Sequence, residues 1–175
     1  QVRATHLATS LVALLQLATR VGARPDGATT TVELVFTAAE EERALGSRAH
    51  AATLPHDGAL AVVNLESIGA DGPLGVAARD GFALRRYETP RAFVHWLDAV
   101  AQRETGHPLA LAPLPIGTLT DARSYLAQGI PALTLRPTFD GAFPSDLHSE
   151  HDQTERLANP AIERVNVSFK FRQYS

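Results

Sequence analysis

Three consecutive carboxylates, Glu40-Glu41-Glu42, stand where the apolar run Val32-Glu33-Leu34-Val35-Phe36 ends. Acidic groups at the C-terminal end of a parallel strand lie where open α/β sheets build their sites. Adjacent carboxylates in such a place divide labour, one holding a cation while its neighbour moves a proton. The competing reading is a solvated acidic turn whose charges favour the N-terminus of the next helix. A further acid, Glu66, closes a second apolar run over Ala59–Leu65, and the cluster His148-Ser149-Glu150-His151-Asp152 follows much later.

The elements that would carry these groups are legible from periodicity. Leu11, Leu14, Leu15, Leu17, Ala18 and Val21 recur at helical spacing. They predict a helix over Ser10–Val21 with Thr9 or Ser10 as N-cap, ended by Gly22 and the Pro25-Asp26-Gly27 turn. A short helix over Arg48–Ala52 stops at Pro55-His56-Asp57-Gly58. Two strands joined by a helix, each ending in an acid, form the βαβ pattern of a parallel sheet. Leu74–Ala78 reads as a shorter strand and Pro108–Gly117 as a loop or irregular strand. Arg91–Glu104 is amphipathic, and Phe93, Trp96, Leu97 and Val100 are expected in the core. Asp121–Gln128 is a helix capped by Thr120 or Asp121 and closed by Gly129; Pro131–Leu135 is a third strand. Val32–Phe36, Ala61–Leu65 and Ala132–Leu135 are expected as interior strands. Arg136–Leu147 is a loop, and Gln153–Ala158 begins a last helix. Residues 161–175 alternate apolar and polar positions around Val165, Val167, Phe169 and Phe171, as an edge strand or a loose tail would.

Composition bounds the class. A chain of 175 residues with 45% hydrophobic and 20% charged residues reads as one globular domain, here 1–160, with 161–175 as a tail. A net charge of −3 offers no basic footprint for nucleic acid. No apolar run approaches the ~20 residues of a membrane helix. Cys is absent, which excludes disulfides and thiolate chemistry and leaves the compartment open. Met is absent as well, position 1 included, as in a fragment or a processed product.

Four segments in order, Phe36–Ser47 (FTAAEEERALGS), Asn64–Gly69 (NLESIG), Thr120–Leu135 (TDARSYLAQGIPALTL) and His148–Asp152 (HSEHD), resemble the zinc-dependent aminopeptidase family. That family also contains glutaminyl cyclases and glutamate carboxypeptidase-like proteins. The resemblance implies an α/β three-layer sandwich with a mostly parallel mixed sheet flanked by helices. Carried over by position, Glu40 resembles the general base, Glu41 a carboxylate ligand of the first zinc, and His148 the imidazole ligand of that zinc. Glu66 stands where the family has an Asp that binds a second zinc. Asp121 and the Gly129-Ile130-Pro131 turn resemble the wall of the substrate pocket, and Asp152 a capping residue of the His148 loop. Zinc accepts imidazole nitrogen and carboxylate oxygen, and an open coordination position lowers the pKa of bound water to ~7. Like charges some 4 Å apart repel by about 4 kcal/mol at an effective dielectric near 20, so converging Glu40, Glu41 and Glu66 favours a cation among them.

Two departures bear on the metal. The family's upstream His-x-Asp pair has no counterpart after Gln1, so the domain is expected to be N-terminally incomplete. At the position of the acid that bridges two metals stands His6, and one imidazole nitrogen cannot bridge two ions. A single zinc held by His6, Glu41 and His148 plus water is the chemically sensible remainder. His50, His56, His95, His107 and His151 show no ligand spacing. The expected function is a zinc-dependent exopeptidase acting on a peptide or amino-acid derivative. The alternatives are a metal-free peptidase-like binding module and a single-zinc enzyme like the glutaminyl cyclases. The resemblance also implies an extracytoplasmic or membrane-attached location.

Overall fold

The computed structural model describes residues 5–22, 31–55, 61–68, 72–82, 85–115 and 118–138. Helix α1 (Thr5–Gly22) and helix α2 (Leu45–Ala51) precede strand β1 (Val62–Leu65). Then come β2 (Leu74–Ala77), the hairpin β3 (Arg79–Phe82) and β4 (Arg85–Glu88), and α3 (Arg91–Thr105). The two-residue β5 (Ala110–Leu111), helix α4 (Ala122–Leu126) and strand β6 (Ala132–Pro137) follow. The described sheet runs β1-β6-β2-β5, with β1 and β5 parallel to their neighbours and β2 antiparallel to β6. No described helix is long and apolar enough to cross a membrane.

All six residues of β6 are buried, which is what a strand covered on both faces requires. Alternation then sorts its side chains. Leu133 and Leu135 join Val76, Ile68, Ala13 of α1 and Leu97 of α3 in one apolar cluster. Ala132 joins Ala51 of α2, Ala122 and Tyr125 of α4, and Ile130 in a second. Helices α1 and α3 therefore cover one face of the sheet and α2 and α4 the other, the expected three-layer α/β architecture. Each leucine fully buried here contributes roughly 1.5–3 kcal/mol. The second cluster is built on small side chains, with Ala51, Ala122 and Ala132 at 0%, 1% and 0% exposure, so two short helices can approach the sheet closely.

Several expectations are corrected. Val32–Phe36 is not a strand among the described residues. An apolar run suits a pleated surface, but a strand exists through bonds to a neighbour that the run itself does not encode. Consequently β1, expected inside the sheet, is an edge of the described sheet. Helix α1 starts at Thr5, and Thr9 and Ser10 lie inside it rather than capping it, because nothing in Thr5–Ala8 breaks the helix. Trp96 is 54% exposed and stacks on Phe93 with ring centroids 6.0 Å apart. The core-facing stripe of α3 runs from the half-buried Phe93 to the buried Leu97 and Ala101 at a spacing of four, and Trp96 falls beside it. The expected helix at 153–158, the tail 161–175, and His148 and Asp152 lie outside the described residues.

Candidate active site

The acidic turn is a closed loop. Gly46 N donates to Ala38 O (3.1 Å), Leu45 N to Ala39 O (3.1 Å) and Ala44 N to Glu40 O (2.7 Å). Ala39, Arg43 and Ala44 take left-handed φ values of 57°, 61° and 56°, each costing roughly 1–2 kcal/mol for a residue with a Cβ. A Cβ on Gly46 would lie 2.5 Å from Ala38 O, so glycine is required where the two arms of the loop meet. Strain of this kind persists where the surroundings over-determine the backbone.

Asp121 supplies that determination. Thr37 Oγ1 donates to Asp121 Oδ2, and Ser47 Oγ donates to Asp121 Oδ1 (2.6 Å). Thr37 and Ser47 are the two ends of the acidic loop, so one carboxylate pins both to the start of α4. The single Ser47 hydroxyl proton is committed to Asp121, which makes Ser124 Oγ, 2.9 Å away, the donor in their contact. Asp121 occupies the N-cap position of α4, but its side chain makes no capping hydrogen bond, because its carboxylate oxygens serve the loop.

The loop brings Glu40 and Glu41 toward the C-terminal end of β1, where Glu66 N bonds Leu135 O of β6 (2.9 Å). Burial raises the Glu40 carboxyl to about 7, with Glu66, Glu41, Asp121 and Asp80 adding repulsion in that order. Burial also raises Glu66; the Ser67 hydroxyl and Arg136 pull it down, while Asp121 and Glu41 push it up. Ser67, directly after Glu66, is again left-handed at φ 50°. Thus Glu40, Glu41, Glu66 and Asp121, drawn from three separate stretches, share one electrostatic environment at the strand ends. Gly129 and Ile130 lie at the other end of α4. Gly129 turns the chain at φ 77°, and Ile130 is buried in the α2–α4 cluster. His6 sits in the first turn of α1, and its side chain is outside the description, as is all of His148.

Two groups escaped the sequence reading. Asp80, in the unpredicted β3–β4 hairpin, is 4% exposed, and its Oδ2 accepts Thr120 N (3.1 Å) and Thr120 Oγ1 (2.6 Å). Burial raises its carboxyl, and the Thr120 bonds, Gly81 N–H and Arg123 oppose that. Thr120 Oγ1 continues to Thr134 Oγ1 (2.8 Å), which accepts from Asn64 Nδ2 (3.3 Å), a polar ribbon across β1 and β6. The second is His50, which bridges Tyr125 OH (2.9 Å) and Glu33 Oε1 (3.2 Å) and so ties the Val32–Phe36 segment to α4. Burial raises the Tyr125 hydroxyl to about 12, with the Asp121 and Glu33 charges behind it. A polar residue at the start of a helix, like Ser47 or Thr120, carries no sequence signal that separates a cap from a tertiary clamp.

The donor chemistry of this cluster suits a divalent cation. Several carboxylates repel one another in a partly buried setting, and a cation placed among them would relieve that repulsion. Among the described residues, no three His, Cys, Asp or Glu side chains are set closely enough to hold an ion by themselves.

The comparisons with known proteins converge on one family. The model of peptidase family M28 matches residues 4–169. Legionella pneumophila LapA superposes with a TM-score of 0.65 at 18% identity, over 92% of this chain and 45% of that one. A Zn-dependent exopeptidase from Parabacteroides distasonis gives 0.59 at 17% identity, over 89% of this chain and 57% of that one. The glutaminyl cyclase of Porphyromonas gingivalis gives 0.57 at 17% identity, over 89% and 59%. The chain therefore spans about half the length of these structures, and at such identities they show the fold. No curated protein matches the sequence. With its acid-bearing turn at the strand ends and its three-layer sheet, this chain belongs to peptidase family M28.

Proposed function

We propose that the chain carries the catalytic end of a metal-dependent exopeptidase of the aminopeptidase type, cutting the bond after a peptide's N-terminal residue. The observation that supports this reading best is the gathering of Glu40, Glu41, Glu66 and Asp121 at one end of the sheet. The ion is zinc, held by Glu41 and His148 with His6 or Glu66 completing the set, a mixture of imidazole and carboxylate donors that zinc accepts. When bound, it supplies a Lewis acid that polarises the scissile carbonyl.

Glu40, one residue before Glu41, is the proton carrier. One of its Oε atoms takes a proton from the attacking water as the water oxygen bonds the carbonyl carbon. The same atom then delivers that proton to the amine nitrogen as the C–N bond breaks. Asp121, with both oxygens engaged by Thr37 and Ser47, holds the turn that presents Glu40.

Release of free amino acid from aminoacyl amides, measured on the zinc-loaded protein and on Glu40→Gln, tests the reading. Hydrolysis lost in Glu40→Gln with zinc content unchanged supports it. Ammonia release from N-terminal glutamine substrates, without amino-acid release, would favour a cyclase. Absence of both activities together with absence of bound zinc would favour a non-catalytic module.

A further inference from the structure

The segment 31–37, which leads into the acidic turn, makes no backbone hydrogen bond among the described residues. Side chains hold it instead, at two points four residues apart. Downstream, Thr37 joins Asp121 in the clamp shared with Ser47. Upstream, Glu33 Oε1 meets His50 Nε2 (3.2 Å), and His50 Nδ1 meets the Tyr125 hydroxyl (2.9 Å). Ser47 and His50 lie one turn apart on α2, and Asp121 and Tyr125 one turn apart at α4, so each helix sends a residue to each point. An anchor at Thr37 alone would let the segment swing about it; the anchor at Glu33 fixes its course.

The partners of His50 determine where its ring carries hydrogen. A carboxylate only accepts, so Nε2 holds a hydrogen and donates it to Glu33. The Tyr125 hydroxyl keeps its own hydrogen, since burial raises it to about 12, and the residue is 3% exposed. Among the described residues that hydrogen has one acceptor, the Nδ1 lone pair. A neutral ring with hydrogen on Nε2 serves both contacts at once. Hydrogen on Nδ1 instead would leave Glu33 without a donor. A charged ring would bury the hydroxyl hydrogen without an acceptor, and the attraction gained comes from a carboxylate that is 62% exposed and screened by water. The bonds therefore run one way, from hydroxyl through ring to carboxylate.

We propose that His50, as the neutral tautomer with hydrogen on Nε2, is a positioning residue that fixes the course of residues 33–37 and through them the place of Glu40. His50 touches no reacting group and acts through Glu33, seven residues upstream of Glu40. The catalytic consequence rests on the exopeptidase reading above; the placement of the turn does not.

The test uses the zinc-loaded wild type, His50→Gln and His50→Leu. A glutamine amide both donates and accepts, as the neutral ring does, whereas leucine fills the space and does neither. Long-range proton–nitrogen correlation spectra, with the His50 signals identified by their loss in His50→Gln, should show hydrogen on Nε2 and a lone pair on Nδ1. In His50→Leu, kcat on aminoacyl amides should fall roughly tenfold with KM little changed, a fraction of the ~10²-fold that a 1 Å misplacement costs. In His50→Gln it should stay within about twofold of the wild type, because both bonds are restored. Amide exchange at Ala44, Leu45 and Gly46, whose N–H groups close the turn, should quicken about tenfold in His50→Leu and hold steady in His50→Gln. Hydrogen on Nδ1 overturns the proposal, and so does equal behaviour of the two variants in kcat and exchange. Circular dichroism reports whether each variant is folded. Should His50→Leu not fold, Glu33→Leu cuts the same chain at its exposed end. The same losses are then expected, and wild-type values overturn the proposal. Absence of hydrolysis in the wild type brings down the exopeptidase reading alone, and the spectra and exchange rates then decide the placement.

Discussion

The face of the sheet under α2 and α4 has two halves that use the same strands in opposite ways. At the N-terminal ends of β1 and β6, Val62 and Ala132 meet Ala51, Ala122, Tyr125 and Ile130 in an apolar, alanine-rich contact. Two and four residues further along, Asn64, Glu66, Thr134 and Arg136 occupy the same face. There they meet Asp80, Thr120 and the acidic turn. Alternation makes this possible, since every second residue of a strand returns to one face. The lesson is a division of tasks. The apolar half sets the distance between helices and sheet, and the polar half uses that rigid spacing to hold like charges together that would separate in water.

The comparison can be broken from either side. Under the proposed function the largest effect is expected in the polar half, where Glu40→Gln should lower hydrolysis roughly 10²–10⁴-fold, the usual worth of a positioned proton carrier. Its zinc content and far-ultraviolet circular dichroism should match the wild type.

In the apolar half, Ala122→Leu forces a larger side chain into a contact that is 1% exposed, at a cost of about 2–3 kcal/mol in urea unfolding. Activity should fall with it, since the spacing of α4 also sets the position of Asp121. A Leu variant as stable as the wild type would show that the alanine contact is not close-packed.

Ser47→Ala sharpens the boundary between the halves. It removes the 2.6 Å bond to Asp121 and one of the two clamps on the acidic loop. A loss of about 1.5–2 kcal/mol is expected, in the range for a hydrogen bond to a charged group. If the clamp positions Glu40, kcat should fall while KM changes little. A parallel loss in both would mean that the variant merely softens the fold.

The smallest effect is electrostatic and belongs to the metal-free protein in chelator. Glu40 is raised from its ordinary 4.5 to about 7, so between those values the folded chain holds a proton that the unfolded chain has released. The stabilisation this gives is complete below the ordinary value and is lost as pH rises through about 7. Because Glu40 is only partly buried, solvent screening reduces the effect to about 1 kcal/mol. Thermal melts from pH 4 to 8 should show the decline in the wild type and its absence in Glu40→Gln. A decline of equal size in Glu40→Gln would place the titration elsewhere.

Much of this was legible in the chain itself. Helix α3, strand β6 and the acid that closes β1 follow from spacing, because hydrophobic periodicity and turn residues are local properties of a few neighbours, while the three-layer class came with the family resemblance. What only the tertiary structure decided is which side chains meet. Val32–Phe36 has the composition of a strand, yet its described attachment to the rest of the molecule runs through Glu33, His50 and Tyr125. Asp121 has the look of a helix cap, but its oxygens close a loop more than seventy residues upstream. Asp80 and Arg136 gave no warning, one lying in an unpredicted hairpin and the other read as the start of a loop. Their burial, at 4% and 5% exposure, depends on partners brought in from other strands and helices. A residue's desolvation and the charges around it are sums over spatial neighbours, and no window of sequence contains them.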